Sequence, residues 1–233
     1  MMISPLLKPR VLFAATAALA LSACFGAPEV MKQGRGQQAS ASTPRPPQMS
    51  SAPSFGSADA RQCAVELKQA GVRFTPLADQ IHSGGCHSID TVKLLDFGTP
   101  ATNLGPMTCP LARNFAAWAQ NAVVPAARKY FGRDVVKIET FGTYSCRNIY
   151  GGRSGRLSQH ASSNAVDVAG FVLSDGRRIM LKGGWNGERD AQEFLRALHK
   201  SACRRFGTVL GPEYNAAHQD HFHFDMSGNG FCR

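Results

Sequence analysis

AVDVAGFVLSDGRRIML, residues 165–181, places two apolar runs on either side of the dipeptide Asp175-Gly176. An Asp-Gly pair between β-forming runs is a strong hairpin signal, because glycine adopts the positive φ angles of tight turns without steric cost. The stretch therefore predicts two antiparallel strands joined by a short turn. Within the first strand, Asp167 lies alone among valines, a costly position for a carboxylate unless it is paired or bound to a metal.

Helical and extended segments precede and follow this hairpin. Early and late helices around a hairpin and a lone final strand favour an α+β fold, an antiparallel sheet core with flanking helices. Pro125 is expected to break or restart the second helix. The predicted elements are helices over 63–72, 111–124 and 188–206, and strands over 135–144 and 220–226.

The last of these strands contains HQDHFHFD, residues 218–225, which holds three of the seven histidines. In extended backbone, successive side chains point to opposite faces. Phe222 and Phe224 would face the core, while His221, His223 and Asp225 would share the other face. By itself this pattern is as typical of a solvated, histidine-rich face as of a metal site.

A second histidine lies close in sequence to the lone aspartate of the hairpin, since His160 and Asp167 are seven residues apart. On one helix they would be separated by about 10.5 Å, whereas two ligands of one zinc ion need donor atoms about 3–3.5 Å apart. They can share a metal only if residues 161–164 form a turn that returns the chain and places Asp167 on a strand.

The N-terminal segment has the layout of a secretory signal. Lys8 and Arg10 precede an apolar run, residues 11–21, that is too short to span a bilayer. The run ends in Leu-Ser-Ala-Cys, residues 21–24, which resembles a bacterial lipobox. We therefore expect a signal peptide over 1–23 and lipidation of Cys24, which would anchor the protein to a membrane, with the outer membrane as the expected destination.

A Pro-, Ser-, Ala- and Gln-rich stretch follows the lipidation site. It has too few large apolar residues to offset the entropy of ordering, so residues 24–60 are predicted to form a flexible tether. The folded domain is predicted to span residues 61–233.

The remaining six cysteines predict a domain stapled by disulfides, because their number is even and the expected periplasmic compartment is oxidising. Six cysteines allow 15 pairings, among which sequence does not choose. We predict pairing of neighbours along the chain: Cys63 with Cys86, Cys109 with Cys146, and Cys203 with Cys232.

The net charge of +10 favours an anionic partner, such as lipid headgroups, cell-wall carboxylates or nucleic acid. No nucleic-acid motif accompanies the charge, so we expect no nucleic-acid partner. A wall polymer with free carboxylates is compatible with this basic character.

Three segments, 142–148, 156–177 and 194–225, together with the terminal Cys232-Arg233, resemble the bacterial extensin-like C-terminal family. The motif Ser158-x-His160-x6-Asp167, followed downstream by His221-x-His223, resembles the zinc signature of the lysostaphin, D-Ala-D-Ala carboxypeptidase and hedgehog superfamily. The family resemblance covers nearly all of residues 61–233.

The resemblance implies a catalytic Zn²⁺ held by His160, Asp167 and His223, with a water in the fourth position. The general base would be Asp220 by analogy with the carboxypeptidase branch, or His221 by analogy with the endopeptidase branch. Strand alternation favours His221, since Asp220 should point away from the metal face.

Arg156 corresponds by resemblance to an arginine that polarises a carbonyl or binds a carboxylate, although a solvated loop arginine is an equal alternative. The chain departs from the family pattern at Gln159, where glutamate is usual, and at Ser163, where glycine is usual. Ser163 puts in doubt a turn that needs positive φ at that position.

Taken together, these features predict a zinc-dependent hydrolase of peptidoglycan stem peptides, of D,D-carboxypeptidase or endopeptidase type, anchored as a lipoprotein in the periplasm. The alternative is a non-catalytic peptidoglycan-binding lipoprotein that tethers membrane to wall. Hydrolysis of a peptide or amide outside the wall is a further alternative.

Overall fold

The computed structural model describes residues 55–228 and 230–233. The expected signal peptide over 1–23, the lipidation site Cys24 and most of the tether lie outside the described residues and remain predictions. Within the described part of the chain, no helix is both long and apolar enough to cross a membrane.

The described chain is an α+β domain, as predicted, in which helices pack on largely antiparallel sheets. The helices are α1 (Ala58–Gln69), α2 (Cys109–Trp118), α3 (Val124–Phe131), the short α4 (Leu181–Gly184) and α5 (Arg189–Ala202). The strands are β1 (Arg73–Pro76), β2 (Gln80–Ile81), β3 (His87–Ser88), β4 (Thr91–Asp96), β5 (Met107–Thr108), β6 (Val135–Gly142), β7 (Ala165–Leu173), β8 (Arg178–Met180), β9 (Thr208–Leu210), β10 (Phe222–Asp225) and β11 (Phe231–Cys232).

The main sheet has the strand order β11-β9-β10-β7-β6, and β8 also pairs with β7. Its strands pair antiparallel except β11, which runs parallel to β9. The strands β1, β4 and β5 form a second, antiparallel sheet, and β2 pairs with β3. The two strands that contain the predicted metal ligands, β7 and β10, are therefore neighbours in the interior of the main sheet.

The predicted hairpin is confirmed as β7 and β8. Leu173 N–H donates to the carbonyl of Arg177 at 2.9 Å, and Gly176 N–H donates to the carbonyl of Leu173 at 2.9 Å. Gly176 has a φ of 87°, a conformation that side chains with a Cβ rarely adopt. The Asp-Gly pair thus supplies the turn that aligns the two strands.

The core lies between the main sheet and the helices α2 and α5. Trp118 on α2 is fully buried, and its ring centroid is 5.0 Å from that of Phe224 on β10. Its indole N–H donates to the carbonyl of Leu198 on α5 at 3.2 Å, which satisfies the one polar atom of the side chain. Phe222 is also fully buried, so the predicted inward face of β10 is confirmed.

The predicted helix around Pro125 is divided into three parts. α2 continues into one turn of π-helix, Ala119–Val123, and then into α3. Proline has no N–H to donate, and it disfavours an ordinary helical bond at this point. The π-turn changes the hydrogen-bond register just before Pro125, so the chain stays helical until Gly132 ends α3 with a φ of 61°.

The folded domain begins before the predicted boundary at residue 61. α1 starts at Ala58, and the Ser57 hydroxyl caps it by accepting a hydrogen bond from Ala60 N–H at 3.1 Å. The carboxylate of Asp90 accepts hydrogen bonds from Gly56 N–H at 2.7 Å and Ser57 N–H at 3.2 Å. These bonds attach the end of the predicted tether to the loop before β4.

All six cysteines form disulfides, but two of the three predicted pairings are wrong. The pairs are Cys63–Cys109, Cys86–Cys146 and Cys203–Cys232, with Cα–Cα distances of 6.0, 5.6 and 5.6 Å. Only the last joins neighbours along the chain. α1 packs against α2, which brings Cys63 to the start of α2, while the turn with Cys86 lies beside the loop after β6.

Candidate metal centre

Two of the predicted ligands face each other across adjacent strands. In the antiparallel pairing of β7 and β10, Asp167 lies directly opposite His223. The Oδ1 atom of Asp167 is 2.9 Å from Nδ1 of His223. The alternation that directs Phe222 and Phe224 into the core therefore directs His223 toward the aspartate.

His160 reaches the same point by the turn that its spacing requires. It lies on a one-turn 3₁₀-helix, Gln159–Ser162, after which the chain reverses and enters β7. Its Nε2 atom is 3.0 Å from Oδ2 of Asp167 and 3.2 Å from Nδ1 of His223. The predicted turn is confirmed, and the two side chains are brought together despite their separation in sequence.

The turn does need a positive φ at Ser163, which adopts 55°. A serine in this region is strained relative to glycine. The Ser163 hydroxyl lies 2.7 Å from that of Ser88, and the residue is fully buried. Its N–H also donates to the carbonyl of His160 at 3.2 Å. These contacts hold the turn in place although glycine is absent.

The outward nitrogen of each candidate histidine ligand, His160 and His223, has a partner. Nδ1 of His160 lies 3.1 Å from the carbonyl oxygen of Thr143 and must donate to it, because a carbonyl only accepts. Nε2 of His223 lies 3.0 Å from Oδ2 of Asp225. Asp225 is in turn fixed by the N–H and hydroxyl of Ser227, each 2.7 Å from its Oδ1. Such outer contacts orient metal-binding histidines and select their tautomers.

The site is electrostatically coupled and nearly dry. His160, Asp167 and His223 are exposed by only 2%, 7% and 8%. Burial by itself raises the pKa of Asp167, but hydrogen bonds and charges from both histidines outweigh it and hold that pKa well below its usual range. Burial lowers the pKa of His223, but Asp167 and Asp225 outweigh it and raise the pKa to about 9. The carboxylate is therefore ionised and available as a ligand.

The arrangement fits a zinc ion. The donor atoms of His160, Asp167 and His223 lie 2.9–3.2 Å from one another, close to the spacing of about 3–3.5 Å that tetrahedral zinc requires. Two imidazoles and a carboxylate are a ligand set typical of catalytic zinc, which keeps a fourth position open. The outer contacts leave Nε2 of His160 and Nδ1 of His223 for the metal.

The two candidate bases occupy different positions. Nε2 of His221 lies 3.6 Å from Oδ1 of Asp167, so its ring borders the cluster. The carboxylate of Asp220 lies 2.9 Å from Nδ1 of His221, on the far side of that ring. Asp220 therefore contacts the cluster only through His221.

His223 and the neighbouring His221 line a cavity of about 550 Å³, within the range usual for ligand sites. Arg147 and Arg156 both contribute to its lining. Arg147 lies beside the candidate ligands, with Nη2 3.8 Å from Oδ2 of Asp167. Arg156 is exposed, and among the described residues its guanidinium forms no ion pair.

Sequence reasoning assigned no definite role to several neighbours of the cluster. Arg147 follows a disulfide cysteine in the segment 142–148, and no spacing marked it. His218, which lines the cavity, lies 2.7 Å through Nδ1 from Oδ1 of Asn215, and burial lowers the pKa of this histidine to about 4. The partner of His160 is a backbone carbonyl, that of Thr143, which no side-chain pattern can reveal.

A second group of possible metal ligands, His199, Cys203 and Cys232, does not form a comparable site. Both sulfurs are joined in a disulfide, so neither is available as a thiolate. The histidine lies 3.8 Å from the sulfur of Cys203 and packs against the rings of Trp185 and Phe222.

Fold and cluster together define a disulfide-linked α+β domain with a buried centre of two histidines and one carboxylate. Residues 61–233 match the family described as the extensin-like protein C-terminus, and the chain belongs to that family. No curated protein and no solved structure matches the chain significantly.

Proposed function

We propose that the protein is a zinc-dependent hydrolase of peptidoglycan stem peptides, related to the lysostaphin and D-Ala-D-Ala carboxypeptidase group. His160, Asp167 and His223 would hold the metal. A zinc ion bound there would supply a water whose pKa is lowered to about 7 and an electrophile for the scissile carbonyl. The observation that carries the proposal is the convergence of these three donors, with the outer nitrogens of both histidines already paired, beside a cavity that His223 lines.

His221 is the general base in this proposal. Its Nδ1 atom lies 2.9 Å from the carboxylate of Asp220, so this nitrogen carries the proton and Nε2 is left with a lone pair. Nε2 is the nitrogen that borders the cluster, 3.6 Å from Asp167. The residue therefore accepts a proton from the attacking water at Nε2 and returns it to the leaving amine. Asp220 is a positioning residue that fixes the tautomer.

Arg147 stabilises the charge that develops on the substrate carbonyl. Its guanidinium lies 3.8 Å from Oδ2 of Asp167 and lines the cavity, so its positive charge can interact with an oxyanion that forms beside the cluster. Arg156, predicted for this role, lies at the exposed rim, where it can bind a substrate carboxylate. The two arginines would thus act on different parts of one substrate.

A wall peptide is the substrate class that these features favour. Two arginines, Arg147 and Arg156, line the cavity, and the carboxylate of Asp225 in the same lining is already engaged by His223. The chain as a whole has a net charge of +10, which suits a polymer with free carboxylates. Lipidation at Cys24 and the tether predicted to follow it would place the domain in the periplasm, anchored at the outer membrane.

The test combines metal analysis with turnover of muropeptides followed by mass spectrometry. The purified domain should bind one zinc per chain and release a peptide or amino acid from muropeptides, and Asp167→Ala should abolish both. Generic peptides tested in parallel show whether the activity is specific to the wall. A protein without metal, whose binding to sacculi is unchanged by Asp167→Ala, would instead be a wall-binding lipoprotein that tethers membrane to wall.

A further inference from the structure

One wall of the cavity is aromatic, in contrast to the basic wall that contains Arg147 and Arg156. Tyr214 and Phe231 both line the cavity, and their ring centroids are 5.9 Å apart. They are 36% and 45% exposed, although large apolar side chains are usually buried. Exposed apolar surface that lines a cavity is typical of a ligand-binding groove. We call this pair the aromatic wall.

The aromatic wall is held in place by the C-terminal strand. Phe231 belongs to β11, which pairs with β9, and the adjacent Cys232 is joined to Cys203 on the segment that follows α5. The N–H of Phe231 donates to the carbonyl of Gly207 at 3.0 Å. The ring is thus presented on a fixed backbone, which lowers the entropy lost when a ligand binds to it.

Polar groups border the aromatic surface. The guanidinium of Arg233 lies 5.7 Å from the ring centroid of Phe231. One of its N–H groups donates to the carbonyl of Cys232 at 3.1 Å, and a guanidinium has five, so donors remain beside the ring. Thr208, which also lines the cavity, uses its hydroxyl proton for the carbonyl of Ser227 at 3.1 Å and can still accept.

We propose that the aromatic wall binds a pyranose ring of the glycan, so that the substrate is a stem peptide attached to its sugar. This inference rests on the proposed function. A pyranose has an apolar face of C–H groups that packs on an aromatic ring, and a rim of hydroxyls that require donors and acceptors. The aromatic wall, with Arg233 and Thr208 beside it, offers both. An aliphatic side chain would leave those polar groups without partners.

The distance between the aromatic wall and the metal centre suits such a substrate. From His223 the path runs through the rings of His218 and Tyr214 to Phe231, in steps of 5.9, 5.5 and 5.9 Å. An extended peptide advances about 3.3–3.6 Å per residue, so a few residues span this path. A sugar on the aromatic wall therefore places a peptide bond of its own stem over the cluster.

The experiment compares one stem peptide in two forms, free and attached to the muramyl disaccharide, with the zinc-loaded full domain. Wild type is expected to have a KM about tenfold lower for the glycosylated form, equivalent to about 1.4 kcal/mol. Phe231→Leu should raise that KM to the value for the free peptide while leaving kcat unchanged. Leu95→Ala is the control, since Leu95 on β4 is 55% exposed but does not line the cavity, and it should preserve the preference.

A second measurement separates this inference from the proposed function. Binding of the disaccharide alone, followed by calorimetry, should be detectable in wild type and at least tenfold weaker in Phe231→Leu, whether or not any peptide is cleaved. If wild type cleaves neither peptide but binds the disaccharide through Phe231, the hydrolase is refuted and the sugar subsite stands. Equal KM values for both peptides in wild type, or an equal effect of Phe231→Leu on both, would overturn the sugar subsite. Circular dichroism confirms that each variant is folded.

Discussion

His223 lies between two carboxylates, with Nδ1 2.9 Å from Asp167 on the neighbouring strand β7 and Nε2 3.0 Å from Asp225 on its own strand. The ring therefore has one nitrogen directed toward the candidate metal position and the other held from behind. In metal sites of this kind the inner group is a ligand and the outer group sets the orientation and basicity of the histidine. The two aspartates should respond differently to substitution.

Asp167→Asn should remove zinc binding. The variant keeps the size of the side chain but replaces an anionic ligand by a neutral amide. Loss of a residue that only contacts a metal ligand usually lowers metal affinity by about 10–100-fold. Because Asp167 would bind the metal directly, we expect a larger loss of zinc affinity. Competition with a chelator, followed by metal analysis, measures the change. Asp175→Asn, in the hairpin turn, is the matched control and should bind zinc like wild type.

Asp225→Asn should weaken zinc binding by about 10–100-fold without abolishing it. The remaining oxygen of the amide can still accept from Ser227, but its NH₂ group cannot accept from Nε2 of His223. The loss should therefore come from the histidine. Ser227→Ala removes only the bond from the hydroxyl to Asp225 and should have a smaller effect. If Asp225→Asn and Ser227→Ala lowered zinc affinity equally, Asp225 would act by holding the segment around Ser227 and not by orienting His223.

The ligand set itself was implied by the family resemblance, but the placement of the candidate ligands could be partly predicted from sequence because it follows local rules. Strand alternation placed His223 opposite the core-facing phenylalanines, and the spacing of His160 and Asp167 required a turn between them. Both features depend on residues close in sequence. The Asp-Gly hairpin follows the same logic, since turn residues and apolar runs determine it locally.

The contacts that could not be predicted depend on packing between distant elements. The pairing of Cys63 with Cys109 follows from α1 lying on α2, and no spacing encodes that contact. The position of Arg147 beside Asp167 follows in the same way from the loop after β6. Ser163 shows a further limit, because a buried bond with Ser88 compensates for a residue that local preference disfavours.

His221→Gln should lower kcat by about 10²–10⁴-fold, the usual contribution of a general base, while zinc content stays unchanged. Asp220→Asn should cost less, because an amide oxygen can still accept from Nδ1–H of His221. Single-turnover kinetics on a muropeptide compares the two variants. A greater loss in Asp220→Asn than in His221→Gln would identify Asp220 as the base and contradict the orientation described above.

Disulfide mapping should recover the pairs Cys63–Cys109 and Cys86–Cys146. Proteolysis without reduction, followed by mass spectrometry, identifies the linked peptides directly. Replacing Cys86 and Cys146 together by serine should lower the free energy of unfolding by about 2–4 kcal/mol, since the bond closes a loop of 60 residues. Urea denaturation measures the loss. Linked peptides that join Cys63 to Cys86 would contradict the fold around α1.

His199 should make stability depend on pH in mildly acidic solution. Burial lowers its pKa, and the carbonyl of Arg233 and the charge of Glu213 only partly oppose this effect. The unfolded chain, with a histidine pKa of about 6.5, then binds more protons than the folded chain, so stability falls as pH drops below about 6.5. The melting temperature of wild type should therefore rise between pH 5 and 7. His199→Gln and His199→Phe should both make this rise smaller, even if they change the melting temperature at pH 7 itself. An unchanged slope in both variants would show that His199 is not the group responsible.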